Sequence, residues 1–571
     1  MKILAIHSDF IKFEPTKKAL KNADEVEKKV SEMKECLVVF TSVEKEDENN
    51  INGAVDALVN EVKKQAELVK TKRVVLYPYA HLSDDLSKPA AAQDVLVEAE
   101  KKLKKSFEVL RAPFGWYKRF EISCKGHPLA EASRHFGADV AKPTGKNEVI
   151  DSKKLLDEIT KIKLDASKLK ENDHRILGQK LDLFSFSETA PGMVFWHNNG
   201  LIIYNELINY WRDEHRKAGY QEIATPLILD NRLWKISGHW EKYKENIFLT
   251  QYDDRDFAVK PMNCPGGMLV YKTRPKSYKD LPLKVGEVGT VHRVELSGTL
   301  GGLFRVIKFT QDDAHIFCTE KQLDDEIMKI VELIFKFYKK FGLQFDHVEL
   351  STRPEKRIGS EKMWDKAEKI LESILKKKKI NYKINLGDGA FYGPKIDFHL
   401  KDSLGRTWQT STVQLDFSMP ERFELEYIDE DNKPKRPVML HRVIYGSLER
   451  FMGILLEHNN GNLPTWLSPI QVRIISFSDN NLGSAKSLLQ ELFDKGLRVD
   501  SDFSQKTVNY KIRDAELQKI PYVIVIGDKE EKSKTLAVRA GHKKPIYGIK
   551  KVDFINKICE EVKERKLELS Y

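Results

Sequence analysis

The hydrophobic pattern of the first 143 residues predicts alternating strands and helices. Short apolar runs at 3–6, 36–43 and 73–79 predict strands. Two apolar stripes at helical spacing predict the intervening helices: Val55, Leu58, Val62, Ala66 and Val69 in one, and Leu96, Ala99, Leu103, Phe107 and Leu110 in the other. This alternation indicates a small α/β domain.

Residues 177–466 combine long helices with β-rich stretches. One helical stripe contains Ile327, Ile330, Val331, Ile334, Tyr338 and Phe341. Over 405–417 the pattern has period two, which predicts a strand with Val413, Leu415 and Phe417 facing a core. The opposite positions are polar, and we expect them to face a cleft: Thr410, Thr412, Gln414 and Asp416.

The last hundred residues again alternate strand and helix. Strands are predicted at 471–476, 497–500, 522–526 and 536–539, with helices at 485–493 and 508–517 and at the end. A Lys-rich stretch at 144–176 is typical of a helical connector. We therefore predict four parts: 1–143, a linker at 144–176, 177–466 and 467–571.

Length and composition narrow the class of protein. The 571 residues exceed what one core holds. The net charge of +10 favours an anionic partner such as nucleic acid, although many soluble enzymes are mildly basic. Five scattered cysteines without a CxxC pair predict neither a disulfide framework nor a zinc ribbon. With no signal-peptide pattern and no apolar run of roughly 18 residues, we expect a soluble, intracellular protein that does not bind membranes.

The stretch FTQDDAHIF carries the densest candidate chemistry. Gln311, Asp313 and His315 share one face of a predicted strand. A polar, solvent-facing strand is the ordinary interpretation, but Phe309 and Phe317 at the same parity favour a pocket. The chain contains neither a Walker A sequence nor GxGxxG, so any nucleotide must be held by side chains.

Other polar residues have equally plausible structural explanations. Arg293 and Arg305 suit phosphate, but isolated arginines usually form surface ion pairs. Ser447 and Arg450 share a helix face. The spacing of Cys264 and His441 along the chain does not by itself reveal a metal site. Cys264 lies in a turn-like context, and its default interpretation is a buried, inert thiol. The default interpretation of His441 is a structural histidine.

Eight successive segments resemble one enzyme family, in family order. They are GMVFWHNNG, ATPLILD, SGHWEKY, KPMNCPG, HRVE…FTQDDAHIF, AFYGPKIDFHL, WQTSTVQLDF and PVMLHRVIYGSLERF, spanning about 185–467. They resemble the catalytic domain of class II threonyl-tRNA synthetases. The resemblance implies a seven-stranded antiparallel catalytic sheet, and a homodimer with Pro226 at its interface.

By the same resemblance, Cys264, His315 and His441 hold one zinc ion per subunit. An open zinc site explains how threonine is separated from its near-isostere valine, because valine lacks the hydroxyl ligand. The resemblance also implies that Asp313 accepts a hydrogen bond from the threonine hydroxyl. The rest of the implied threonine pocket is Gln311, Tyr392, Thr412 and Gln414.

The resemblance also implies an ATP site that binds Mg²⁺ with the nucleotide. Arg293 would contact the α-phosphate and Arg450 the γ-phosphate. The other implied ATP-binding residues are Phe309 stacked on adenine, Glu295 at its edge, and Gln409, Arg305 and Ser447. His239 resembles a histidine that helps move the proton of the tRNA ribose 2′-hydroxyl, and Lys395 falls at a catalytic position.

Serine is the harder competitor, because one methyl group is worth only about 1–3 kcal/mol. A hydrolytic second site is therefore expected, and the HxxxH element of the bacterial editing domain does not occur. Instead MKILAIHSDFIKFE, YPYAHLS and APFGWYKRFEISCKGHPLAEASR resemble the archaeal editing domain, akin to D-aminoacyl-tRNA deacylases. The implied editing residues are His81, Tyr117, Lys118 and Glu131.

The C-terminal segments KIRDAELQKIPYVIVIGDKE and LAVR resemble the class II anticodon-binding domain. Glu530 and Arg539 fall where the family reads anticodon bases, although both could be ordinary surface charges. The resemblance as a whole implies a cytoplasmic threonine–tRNA ligase of the archaeal type, with tRNA(Thr), ATP and L-threonine as partners and with editing of seryl-tRNA(Thr) in the same chain.

The chain departs from the family pattern in places. Gly267 replaces a histidine, Val294 an asparagine, Ile307 an arginine, and Thr410–Ser411 a Cys–Gly pair. Two rivals remain: a related synthetase for serine or proline, and an inactive RNA-binding paralogue. The complete zinc set argues against the first, and the retained Arg293 and Arg450 argue against the second.

Overall fold

The computed structural model describes most of the chain as two compact units. The described residues are 1–20, 22–127, 129–135, 152–159, 169–253, 255–296, 298–402, 405–541 and 543–571. The units are Met1–Asp151 and Ser152–Tyr571. The predicted boundary at 143 and much of the predicted linker lie outside the described residues, but 152–159 form a helix.

The first unit is a mixed sheet with two helices. Its elements are β1 (Lys2–Lys18), β2 (Ser31–Ser42), α1 (Ile51–Leu68), β3 (Arg73–Pro78), α2 (Pro89–Leu103), β4 (Glu108–Arg111), β5 (Trp116–Cys124) and β6 (Glu131–His135). The strand order is β4-β3-β2-β1-β5, and β6 pairs with β1 beyond β5. The three predicted strands and the first helix are confirmed.

The two faces of this sheet differ in composition. One face packs against the apolar stripes of α1 and α2, including Leu58 and Leu96. The other carries a second, aromatic-rich cluster that includes Phe40 and Tyr77. The prediction that the second stripe extends to Leu110 is wrong: α2 ends at Leu103, and the later apolar positions belong to a turn and β4.

The second unit begins with a long run of helices and strands, some of which form its main sheet. They are α3 (Ser152–Ile159), α4 (His174–Lys180), β7 (Phe184–Ser185), β8 (Phe195–Trp196), α5 (Asn198–Lys217), β9 (Gln221–Glu222), β10 (Ile228–Asp230), α6 (Asn231–Ile236), α7 (His239–Lys242), β11 (Leu249–Tyr252), β12 (Arg255–Val259), α8 (Cys264–Lys272), β13 (Leu283–His292), β14 (Lys308–Cys318), α9 (Leu323–Lys340), β15 (Phe345–Ser351), α10 (Glu361–Lys377), β16 (Tyr382–Asn385), β17 (Lys395–Lys401), β18 (Thr407–Asp416), α11 (Ser418–Arg422), β19 (Tyr427–Ile428), β20 (Pro434–Lys435), β21 (Val438–Ser447) and α12 (Leu448–His458).

The main sheet of this unit, which corresponds to the expected catalytic sheet, has eight strands among the described residues, in the order β16-β15-β17-β18-β21-β14-β13-β9. The expectation of seven antiparallel strands is therefore wrong, because the pairings at both edges are parallel. The helix α10 connects β15 to β16, and such a crossover brings the second strand back in the same direction. The six inner strands are antiparallel.

The two faces of this sheet follow the predicted alternation. Val413 and Leu415 of β18 are fully buried in the main core, together with the α9 residues Ile327, Ile330 and Ile334. Phe417 packs against the same core just after the strand. The polar positions of β14, β18 and β21 therefore emerge on the other face, where the site lies.

The C-terminal part forms its own five-stranded sheet in the order β23-β22-β24-β25-β26. Its elements are β22 (Val472–Ser476), α13 (Leu482–Asp494), β23 (Val499–Asp502), α14 (Val508–Leu517), β24 (Tyr522–Ile526), α15 (Asp528–Ser533), β25 (Thr535–Ala540), β26 (Ile546–Lys550) and α16 (Lys551–Lys563). The predicted strands and helices are confirmed, and the structure adds α15 and β26. Among the described residues, every helix is too short or too polar to cross a lipid bilayer.

Candidate functional site

A cavity of about 400 Å³ opens over the polar face of the main sheet. Fifteen of the residues named from the sequence line it: Cys264, Arg293, Glu295, Arg305, Phe309, Gln311, Asp313, Tyr392, Gln409, Thr410, Thr412, Gln414, His441, Ser447 and Arg450. They come from five strands and helices and the loops between them. The fold therefore gathers residues separated by as much as 186 positions of sequence into one chamber.

Three potential metal ligands converge at this cavity. Cys264, the first residue of α8 rather than part of a turn, lies with His315 of β14 and His441 of β21, which are paired neighbours in the sheet. All three are buried, and one ligand atom of each lies within 4.8 Å of the others. Burial raises the pKa of the Cys264 thiol and lowers that of His315, so both groups are held neutral unless a cation binds.

The surroundings of these three side chains fit a metal ion. The Nε2 atom of His441 lies 2.8 Å from Oδ2 of Asp416, the carboxylate–histidine arrangement that orients a metal ligand. The buried Nε2 of His315 has no hydrogen-bond partner among the described residues. One thiol and two imidazoles form a donor set that suits zinc.

Asp313 lies beside this cluster in a buried position. Burial raises the pKa of its carboxyl group, and Asn263 Nδ2 donates a hydrogen bond to Oδ2 over 3.3 Å. On the other side of the cluster, the hydroxyl of Tyr392 donates to Oε1 of Gln414 over 2.6 Å. These contacts hold polar groups toward the cavity in defined orientations.

A buried carboxylate orients a further part of the lining. Asp397 accepts hydrogen bonds from Thr412 Oγ1 at 2.8 Å and from Gln409 Nε2 at 2.5 Å through one oxygen. Its other oxygen accepts from Lys395 Nζ at 2.6 Å and Ser351 Oγ at 2.7 Å. Lys395 itself does not line the cavity but lies behind it.

The two principal arginines are held from behind. Arg293 donates through Nε to the carbonyl oxygen of Pro261 over 3.1 Å, and its guanidinium lies 5.1 Å from the ring of Phe309. Arg450 donates to the carbonyl oxygens of Phe304 and Gln409 over 3.0 and 3.1 Å. These bonds leave other guanidinium N–H groups available to an anion.

Three other residues implied for ATP binding are tied to one another or to the backbone. Glu295 Oε2 and Arg305 Nε form an ion pair of 2.8 Å at the mouth of the cavity. Ser447 caps α12, its hydroxyl oxygen accepting a hydrogen bond from the backbone N–H of Arg450 over 3.2 Å.

His239 is buried outside the cavity lining. Its Nδ1 lies 2.7 Å from Ser237 Oγ and its Nε2 lies 2.8 Å from Met262 Sδ, while Met262 itself lines the cavity. Burial, together with Arg293, lowers the pKa of His239 to about 3, so its ring is neutral. A direct role in proton transfer would require Met262 to move.

Sequence reasoning gave no role to Asn263 or Asp397, and it placed Asp416 toward a cleft without predicting its contact with His441. Each is a buried polar residue that orients a lining residue, and no local spacing distinguishes such a residue from a surface one. The departure at Gly267 has a structural consequence: a Cβ atom there would lie 3.3 Å from His315 Nδ1. A larger side chain at this position would therefore crowd the cluster.

In the first unit, Lys118 and His81 both border the aromatic face of the sheet. Lys118 Nζ lies 5.0 Å from the ring centroid of Tyr77 and donates hydrogen bonds to the carbonyl oxygens of Pro113 and Trp116. The ring of His81 packs edge-on against Tyr79, which in turn packs against Tyr77. Burial lowers the pKa of Lys118 to about 8.

The other two implied editing residues, Tyr117 and Glu131, do not lie beside Lys118 and His81. Tyr117 is 64% exposed, and strand alternation directs it to the face opposite Lys118. Glu131 pairs with Ile6 on β1, whereas Lys118 pairs with Pro15. Nine residues of extended strand correspond to about 30 Å along β1.

The two implied anticodon residues lie on neighbouring elements of the C-terminal sheet. Glu530 is in the first turn of α15, where Oε2 accepts a hydrogen bond from the backbone N–H of Gly527 over 3.2 Å. Arg539 lies on β25, opposite Val523 of β24. Both side chains are partly exposed.

Comparison with known proteins agrees with this arrangement. The RNA-binding domain of threonyl-tRNA synthetase from Cryptosporidium parvum Iowa II has a similar solved structure, with a TM-score of 0.66 and 40% identity. The similarity covers 70% of this chain and 99% of that chain. The chain belongs to the threonyl-tRNA synthetase family.

Three sequence families match successive parts of this family member. Residues 1–136 match the archaea-specific editing domain of threonyl-tRNA synthetase. Residues 245–459 match the class II tRNA synthetase core domain (G, H, P, S and T), and 471–561 match the anticodon-binding domain. The family and the three domain types expected from the sequence are thus confirmed, whereas the boundaries of the four predicted parts stay predictions.

Curated relatives are similar over about two thirds of the chain. The threonine–tRNA ligases of Desulforamulus reducens and Acetivibrio thermocellus are 55% and 54% identical over 396 residues, which is 69% of this chain. The chain spans 62% of the length of each of these relatives.

Proposed function

We propose that this chain is an ATP-dependent threonine–tRNA ligase, which activates L-threonine as its adenylate and transfers it to tRNA(Thr). The observation that carries the proposal is the convergence of a thiol and two imidazoles beside Asp313 in one cavity. Membership of the family and the names of its relatives support the same activity.

Selection of threonine would depend on this cluster. Cys264, His315 and His441 would hold one Zn²⁺ per subunit, which supplies open coordination positions for the amino and hydroxyl groups of threonine. Asp313 would accept a hydrogen bond from the same hydroxyl. A site that hydrogen-bonds a substrate hydroxyl discriminates by a factor of roughly 10⁴–10⁵ against an analogue that lacks the hydroxyl. Valine is such an analogue, because it would leave the buried polar groups of the site without partners.

Activation requires the carboxylate of threonine to attack the α-phosphorus of ATP. Arg293 would neutralise charge on the α-phosphate, and Arg450 would hold the γ-phosphate, with Mg²⁺ bound to the nucleotide. Phe309 would support the adenine ring, with Glu295 at its edge. Fixed cations and positioning lower the barrier of such a step without a covalent intermediate.

Pyrophosphate exchange tests the ligase proposal. Exchange should depend on threonine and respond far less to valine, serine or proline, and Cys264→Ser should abolish it. The matched control is Cys318→Ala, which alters a buried cysteine of β14 outside the cavity. Equal responses to threonine and valine, or an active Cys264→Ser variant, would contradict the proposal, and no exchange with any amino acid would favour the inactive RNA-binding paralogue.

We further propose that the first unit hydrolyses seryl-tRNA(Thr). The aromatic face beside Lys118 and His81 supports this proposal. A nucleoside can stack on its rings, and the amine of Lys118, whose pKa is lowered, lies against them. Tyr117 and Glu131 are weaker candidates for the same pocket because of their positions.

Deacylation of seryl-tRNA(Thr) provides the test. Lys118→Ala should slow hydrolysis while leaving threonine activation intact. Lys72→Ala is a matched control, since Lys72 also lies over an aromatic ring, that of Phe107, at 5.4 Å. Unchanged hydrolysis in Lys118→Ala would exclude this assignment.

The remaining assignments also stay proposals. Glu530 and Arg539 would read the anticodon, and Lys395 would act in the transfer step through the Asp397 network. Exposed Leu227 and Ile228 follow Pro226, an apolar surface that supports the proposed homodimer. A cytoplasmic, archaeal-type enzyme is consistent with the editing domain.

A further inference from the structure

A second set of side chains of the types that can bind a metal ion lies on adjacent strands of the main sheet. His347 and Glu349 belong to β15, and His399 belongs to β17. His347 is directly opposite His399 in the antiparallel register. None of these three described residues lines the cavity.

The geometry of these side chains brings nitrogen and oxygen atoms together. The two imidazoles stack with centroids 4.4 Å apart and an interplanar angle of 8°. Glu349 lies against both: Oε1 is 3.2 Å from His347 Nε2, and Oε2 is 3.4 Å from His399 Nε2. Two atoms bound tetrahedrally to zinc at 2.0–2.1 Å lie about 3.3–3.4 Å apart, so these separations suit a shared ion.

Neighbouring groups already orient the three side chains. Asp346 Oδ2 lies 2.7 Å from Nδ1 of His347, which directs the lone pair of Nε2 toward Glu349. Asn385 Nδ2 donates to Glu349 Oε2 over 2.9 Å. The buried Nε2 of His399 has no hydrogen-bond partner within the described part of the chain.

We propose that His347, Glu349 and His399 bind one divalent cation of the borderline class, such as Zn²⁺, Co²⁺ or Ni²⁺. Two imidazoles and a carboxylate form a three-ligand set that leaves a fourth position for water. Imidazole ligands disfavour Mg²⁺ and Ca²⁺. This site is separate from the Cys264 cluster and does not depend on the proposed ligase activity.

The ion-free alternative is a protonated His347 between Asp346 and Glu349. That arrangement leaves the buried Nε2 of His399 without a hydrogen-bond partner among the described residues, although Glu349 Oε2 lies 3.4 Å away. A bound cation satisfies both rings and the carboxylate together. It would also join β15 to β17 two residues from Asp397, which orients Thr412 and Gln409.

The test is cobalt binding to the full-length chain after chelator treatment, with bound metal measured by equilibrium dialysis. Thiolate-to-cobalt charge-transfer absorption reports only the Cys264 cluster, because the proposed site contains no sulfur. The wild type should bind two Co²⁺ per chain, and Cys264→Ser should bind one without this absorption. His399→Gln and Glu349→Gln should each bind one and keep the absorption.

A matched control is His197→Gln, because His197 pairs with Asp182 and Ser185 without a second imidazole. This variant should bind two ions. A wild type that binds only one ion and shows the thiolate absorption, a metal-free Cys264→Ser variant, or two ions retained in both His399→Gln and Glu349→Gln would overturn the proposal. A single ion bound without the absorption would support this site and count against the Cys264 cluster. If His399→Gln and Glu349→Gln fold poorly, the comparison of the wild type with Cys264→Ser still tests the proposal.

Discussion

Asp416→Asn provides a sensitive test of the proposal that Cys264, His315 and His441 bind zinc, because it changes one proton position and almost no volume. The Asp416 carboxylate accepts backbone hydrogen bonds from Ser418 and Met419 through Oδ1, and contacts His441 Nε2 through Oδ2. A carboxylate can only accept, so Nε2 of His441 carries the proton and Nδ1 carries the lone pair. That lone pair is the one available to a metal ion.

An asparagine at position 416 reverses which ring nitrogen of His441 carries the proton. Its carbonyl oxygen can keep the backbone bonds of Asp416, which leaves the NH₂ group facing His441. An amide donor stabilises the tautomer with the lone pair on Nε2, and the proton then sits on Nδ1, where the metal should bind. Changes to such partners lower metal affinity by about 10–100-fold, which corresponds to about 1.4–2.7 kcal/mol.

Competition with a chromophoric chelator measures this zinc affinity, and threonine-dependent pyrophosphate exchange should fall in parallel at limiting zinc. Excess zinc should restore part of the exchange. Asp402→Asn is a suitable control, since Asp402 is also buried but bonds to Arg406 and Trp408. Wild-type zinc affinity in Asp416→Asn would refute the tautomer argument.

Three further predictions concern other parts of the chain. Arg293→Ala should reduce exchange at low ATP by roughly 10–150-fold, since a hydrogen bond to a charged group contributes about 1.5–3 kcal/mol; an unchanged KM for ATP and kcat would contradict this. Because burial lowers the pKa of Lys118 to about 8, its amine is neutral above that pH and charged below it. Amine labelling followed by peptide mass spectrometry should therefore show a midpoint near pH 8, and a midpoint like that of an exposed lysine would count against it. Ile330→Ala, at a buried position of α9, should lower the free energy of unfolding by about 2–5 kcal/mol in denaturant titrations, and a loss below 1 kcal/mol would mean that the stripe is not core.

Local periodicity in the sequence was sufficient to predict several elements and their faces. The stripe of α9 and the alternation of β18 identify the buried positions, because a helix and a strand each repeat their side-chain direction at a constant period. The same rule places Gln311, Asp313 and His315 on one face of β14. The roles of these residues came from family resemblance, since the residues alone left a surface strand equally open.

Tertiary packing decided which distant residues meet. The meeting of Cys264 with His315 and His441 depends on β14 lying beside β21 and on α8 beginning at that point. Packing also separated Glu131 from Lys118 along β1 and buried His239 behind Met262. Backbone geometry determines the face of each residue within an element, whereas the order of strands depends on how whole faces are buried, which short-range spacing does not encode.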